Sequence, residues 1–174
     1  SFTGDHYSIS DLEGTPIPCQ PGGPPIIIGG GGKRVLTAAA QQADIVGLNA
    51  SLHAGSVGPE TALSALGERF LERRNWVEEA AGDRFAQIEL QMNTFMTAVT
   101  SSTSEAEEMF NGMAPMFGLT AEQAKTIPMV LAGTVNDVCE QLERYRDQYG
   151  TSYWVIHDGE IETMAPVVAK LAGS

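Results

Sequence analysis

The chain has 174 residues and a formal net charge of −12, with 22 acidic against 10 basic side chains. That acidity argues against nucleic acid and anionic membrane surfaces as partners, and a hydrophobic content of 43% excludes a disordered tail and suffices for one domain with a real core. No run approaches the roughly 20 apolar residues that a membrane span needs, and the mixed, polar residues 1–20 do not read as a basic-then-apolar leader. Cys19 and Cys139 are far apart and show no metal or redox spacing. Reduced thiols in a cytoplasmic protein are the simplest expectation.

In chain order, residues 1–9 predict an irregular strand and residues 10–25 a loop broken by Gly14, Pro16, Pro18, Pro21, Gly22, Gly23, Pro24 and Pro25. The β-branched triplet Ile26, Ile27, Ile28 predicts a strand covered on both faces. Glycines 29–32, a helix over 33–42 and a strand over 44–48 complete a βαβ unit with a right-handed crossover. After a loop, Pro59 suits a first helical position. Leu63, Leu66, Phe70 and Val77 then share one face of a helix that ends near Gly82. Residues 86–99 alternate, with Ile88, Leu90 and Met92 on one side and Glu89, Gln91 and Asn93 on the other.

Ser104 with Glu107, and Thr120 with Gln123, match the capping box and predict two short helices within 105–126. A further helix starts at Gly133 and Thr134, carries the stripe Val135, Val138, Leu142, Tyr145, Tyr149, and stops at Gly150. Residues 152–157 predict a buried strand, and Ile161, Met164, Val168 and Leu171 the apolar face of a last helix. The order is strand then helix four times, which argues for a parallel α/β sheet.

The glycine turn is the principal candidate site. Gly29, Gly30, Gly31 and Gly32 let a ligand approach the backbone at a helix start. There the free amides and the helix dipole favour an anion, and Lys33 and Arg34 add positive charge. The turn fails the P-loop pattern, because residue 27 is Ile and Arg34 stands where Ser or Thr should follow the lysine. It fails the dinucleotide fingerprint too, since Val35 replaces the third glycine. The competing reading is a tight strand-to-helix turn with no ligand.

Asn49, at a strand end, and His53, in the loop beyond it, are candidate substrate contacts; a solvated loop histidine is the bland alternative. Glu89, Gln91 and Asn93 form either a barrel-interior face or a solvent face. Ser51, His157 and Asp158 do not make a triad, because adjacent strand side chains point to opposite sides. Three scattered histidines give no metal site. The charged run from Glu68 to Glu79, including Arg69, Arg73 and Arg74, reads as one solvated helix face. No catalytic acid, base or nucleophile stands out.

Several ordered segments, namely Phe2-Thr3-Gly4-Asp5-His6-Tyr7, the glycine turn, Ala43-Asp44-Ile45-Val46-Gly47, and Gly133-Thr134-Val135 leading through Tyr149-Gly150 to Tyr153-Trp154-Val155-Ile156, resemble the luciferase-like monooxygenase family. The likeness is strongest to its deazaflavin (coenzyme F-420)-dependent oxidoreductases. It implies an α/β fold, the C-terminal half of a TIM (β/α)8 barrel. Residues 26–28, 44–48, 88–99 and 152–157 would be strands five to eight, the helices within 105–126 an insertion, and residues 1–174 one partial barrel domain whose N-terminal half is absent. The resemblance further implies a cofactor at the C-terminal mouth, its phosphate-bearing tail on the turn from Gly29 to Lys33, and hydride transfer between coenzyme F-420 and a small organic substrate. FMN in a monooxygenase is the alternative, and a non-catalytic structural or interaction module a second one. The family's proton-handling residues lie largely in the first half, and its members commonly form homo-oligomers.

Overall fold

The computed structural model describes residues 1–52 and 55–173. A small exposed hairpin of β1 (Phe2–Thr3) and β2 (Ser8–Ile9) leads through a loop to β3 (Ile27–Gly30), α1 (Lys33–Gln42) and β4 (Ile45–Leu48). Then come α2 (Pro59–Ser64), α3 (Gly67–Ala81), β5 (Glu89–Asn93), β6 (Met96–Val99), α4 (Thr103–Met113), α5 (Ala121–Lys125), β7 (Val130–Gly133), α6 (Val135–Tyr149), β8 (Thr151–Val155) and α7 (Ile161–Leu171).

The main sheet has the order β3-β4-β5-β8, with every neighbouring pair parallel. Helices cover one of its faces. Leu36, Ala39 and Ala40 of α1 pack there with Val46 and Leu48, beside Phe70 and Val77 of α3 and Leu90 and Met92 of β5. Tyr145 and Tyr149 of α6 extend this core, their ring centroids 5.7 Å apart, and Tyr145 lies 6.0 Å from Trp154. Local chemistry sets the helix ends. Thr120 and Thr134 make capping boxes with Gln123 and Asp137. Gly150 terminates α6 at φ 76°, where a side chain would be strained. Arg84 donates to the carbonyls of Ala40 and Ala43, so a guanidinium closes the C-terminus of α1 from a distant turn.

The parallel order is as expected, but several elements differ. The strand expected at 26–28 runs from Ile27 to Gly30 and is not covered on both faces: Ile26 is 56% and Ile27 50% exposed. It is an edge strand. The other edge, β8, is likewise half-exposed rather than buried. The strand expected over 86–99 divides at Thr94 and Phe95. Its second part leaves the main sheet and pairs parallel with β7, which the sequence reading missed. The helix expected from Pro59 to Gly82 breaks at Ala65 and Leu66. The cap of α4 is Ser102, accepting from the Glu105 amide, rather than Ser104. In α7, Met164 and Val167 are buried while Ile161 and Val168 are exposed.

Candidate active-site groove

The C-terminal ends of the four main strands meet along one rim. Gly29, Gly30 and Gly31 from the end of β3, Asn49 after β4, Asn93 and Thr94 at the end of β5, and His157 after β8 line an open groove of about 510 Å³. This is the end of a parallel sheet where loops converge on ligands.

Close packing fixes Gly31 and crowds Gly29 and Gly30. A Cβ on Gly29 would lie 2.9 Å from Asn49 Nδ2, and one on Gly30 would lie 2.7 Å from Val35 Cγ1. On Gly31 it would meet the Ala50 carbonyl oxygen at 2.6 Å, a backbone contact that cannot give way. Gly32 differs, because its Cβ position has nothing within 4 Å. Gly32 is the N-cap of α1, in extended conformation (φ −116°, ψ 149°), with no side-chain cap and no acid in the first turn. No side chain of the cap therefore satisfies the opening amides of α1.

Of the residues singled out from the sequence, Gly29, Gly30, Gly31 and Asn49 come together on the groove. Gly32, Lys33 and Arg34 are exposed and lie outside its lining. Lys33 Nζ sits 3.7 Å from a Glu79 carboxylate on α3, a solvent-exposed pair that holds it only weakly. His53 lies outside the described residues. Gln91 and Asn93 share the concave face, where Gln91 Nε2 donates to Asn93 Oδ1 at 2.6 Å. Gln91 is buried, and its Oε1 occupies the space that a Cβ on Gly47 would need. One register row across the sheet therefore reads Gly29, Gly47, Gln91, Tyr153.

His157 Nε2 lies 3.0 Å from the Thr94 carbonyl. A carbonyl only accepts, so Nε2 carries the proton in this contact. Thr94 is itself fixed to β8, its N–H donating to the Val155 carbonyl at 2.9 Å. Glu160 fastens β6 to this corner: its Oε1 accepts from the Thr97 amide at 2.8 Å and its Oε2 from the His157 amide at 3.3 Å. Burial works against the charged carboxylate, but these hydrogen bonds outweigh it and hold Glu160 below the usual carboxylate range. Among the described residues no cluster of three metal-ligating side chains occurs, and no helix is long and apolar enough to cross a membrane.

The sequence reading missed one residue that shapes this site. Arg73, expected on a solvated face, is only 4% exposed. Its Nε donates to the Gly31 carbonyl at 2.9 Å and its Nη1 to the Ser64 carbonyl at 2.7 Å, and its guanidinium lies 5.2 Å from the Phe70 ring centroid. Burial lowers its pKa from the ordinary arginine value, with the nearby Glu72 opposing. Because the peptide is planar and trans, a Gly31 carbonyl held by Arg73 turns the Gly32 N–H away from α3. The signal was in the spacing. Phe70, Arg73 and Val77 fall at i, i+3 and i+7, the buried stripe of the helix.

Fold and groove define a class: half of a parallel (β/α)8 barrel with its candidate site at the strands' C-terminal ends. The sequence matches no protein-family model and no curated protein. Among solved structures, the chain superposes on EDTA monooxygenase (EmoA) from Chelativorans sp. BNC1 with a TM-score of 0.61 and 13% identity, over 98% of this chain and 49% of that one. It is similar to the coenzyme F420-dependent tetrahydromethanopterin reductase from Methanopyrus kandleri, with a TM-score of 0.52 and 16% identity, over 84% of this chain and 49% of that one. Riboflavin lyase (RcaE), in a structure with modified FMN and riboflavin, matches with a TM-score of 0.53 and 11% identity, over 86% and 43%. The chain thus spans about half the length of the structures it matches. At these identities the likeness concerns the fold alone, and it bears out the half-barrel architecture read from the sequence.

Proposed function

We propose that the start of α1 at Gly32, beside the rim of the groove, is the phosphate end of a flavin-type cofactor site, in a protein whose reaction is hydride transfer between coenzyme F-420 and a small organic substrate. The observation that carries the reading is Gly32. It is the one glycine of the turn whose Cβ position is open space, and it precedes the uncapped amides of α1 at the mouth of a parallel sheet. A phosphate fits that position, since amides and helix dipole both favour an anion. Solved structures of similar fold include an F420-dependent reductase and an enzyme with modified FMN, which supports a flavin or deazaflavin as the class of ligand. Such a cofactor carries the hydride chemistry, and the chain's own part is to hold and orient it. Within this proposal, Gly29, Gly30 and Gly31 shape the turn, Gly32 and Lys33 present the amides, Arg34 adds charge, and Asn49 borders the substrate space. FMN is the second ligand to be tested.

The test is Gly32→Asp. Aspartate is a favoured N-cap, and its backbone needs match the extended conformation of Gly32. The variant should keep or raise the melting temperature while placing a carboxylate where the phosphate would sit. Titration with coenzyme F-420 and with FMN should show an affinity at least tenfold weaker than for the unsubstituted chain. An unchanged affinity would reject the site. Gly31 is unsuited to this purpose, because any side chain there displaces the Ala50 backbone whether or not a ligand binds.

A further inference from the structure

A second cavity lies outside the groove, between α2, the turn at 114–117, α5 and the β6–β7 pair. Its volume is about 230 Å³. Its walls include Ala62, Ala65, Leu119, Ile127 and Val130, all buried. The one polar side chain of the lining, Thr61, already donates its hydroxyl to the Ser56 carbonyl at 3.1 Å. Nothing in the lining asks for water, and the pocket is partly enclosed, with Val57 and Phe95 on its walls 58% and 40% exposed. An apolar cavity of about 150 Å³ in another protein stays dry and accepts benzene. At the same volume per carbon, this one accommodates about nine carbon atoms.

Its position matters as much as its size. Phe95 lines both this chamber and the groove, and it is 40% exposed at their junction. It occupies the break between β5 and β6, where the chain leaves the main sheet. We infer that the chamber binds a compact hydrocarbon group of about six to nine carbons, entering past Phe95. Given the oxidoreductase reading above, on which this part rests, that group is the apolar portion of the organic substrate, whose polar end remains in the groove.

Met96 and Met113 line the chamber, and the other five methionines do not. With methyl-13C methionine in the full chain, titration with toluene should shift the Met96 and Met113 signals saturably and leave the others nearly still. Ala124→Leu and, separately, Ala65→Val place extra carbons on the chamber wall. At least one should retain the parent melting temperature and weaken toluene binding at least fivefold. No saturable shift, equal shifts at all seven methionines, or unchanged binding in a folded filled variant would overturn the inference. Cofactor titration on the same sample separates the two readings. Toluene binding without affinity for coenzyme F-420 or FMN leaves the chamber standing and removes the substrate assignment. Cofactor binding without the methionine shifts removes the chamber alone.

Discussion

Replacing Arg73 by Met tests whether the glycine turn is held from behind. The methionine keeps much of the buried volume but withdraws both donors from the carbonyls of Gly31 and Ser64. Hydrogen bonds from a charged group contribute about 1.5–3 kcal/mol each, and carbonyls left buried without a partner are costly. Against this stands the relief of no longer burying a guanidinium, which offsets part of the loss. A net destabilisation of about 3 kcal/mol follows, a large share of the roughly 5–15 kcal/mol available to a domain. Arg69→Met is the control, since Arg69 sits exposed on the same helix, and its loss should fall within about 0.5 kcal/mol. Equilibrium urea unfolding, followed by tryptophan fluorescence, reads both; Trp76 lies on α3 itself. A shift in midpoint at constant slope reports stability. If Arg73→Met and Arg69→Met cost the same, Arg73 belongs to the solvated face after all and the latch does not exist.

Two further outcomes follow from the same geometry. Glu160 has a folded pKa below its ordinary value of 4.5, so its contribution is present above that value and is lost as pH falls through the folded pKa. Glu160→Gln should therefore lower the neutral plateau of the stability-pH profile while changing stability at the acid end less, and so flatten the acid limb; urea midpoints measured between about pH 6 and pH 2 check this, and an unchanged acid limb would refute it. The two edges of the main sheet, β3 and β8, have no strand beyond them, and Ile26 and Ile27 stand exposed on one of them. Such edges recruit other strands. Analytical ultracentrifugation of this 174-residue chain should find dimers or larger species, and a well-behaved monomer across a wide concentration range would contradict the argument.

What the sequence disclosed and what it hid divide along physical lines. Caps at Thr120 and Thr134, the glycine stop at Gly150 and the strand-helix succession are local, and local rules located them. The strand β7 is buried on both faces, so it carries no alternation, and a four-residue apolar run cannot be told from the end of a helix. The break at Thr94 and Phe95 depends on a partner more than thirty residues further along the chain. Ile26 and Ile27 are β-branched as expected of a strand, but what lies over them is a property of the edge. At the candidate site, the glycine turn was visible as composition, whereas only the packed loop at Ala50 distinguishes Gly31, fixed by its neighbours, from Gly32, free of them. Arg73 was obscured because its charge was given more weight than its place on the stripe.

The concave face of the sheet has an unusual paving. Over Gly29 lies the Asn49 carboxamide and over Gly47 that of Gln91, the latter tied to Asn93. A carboxamide offers a donor on one side and an acceptor on the other, and half a turn exchanges them with almost no change of shape. Because Gln91 and Asn93 are bonded to each other, reversing one obliges the other to reverse. Asn93, which lines the groove while Gln91 stays buried behind it, can thereby present either polarity there without a charge.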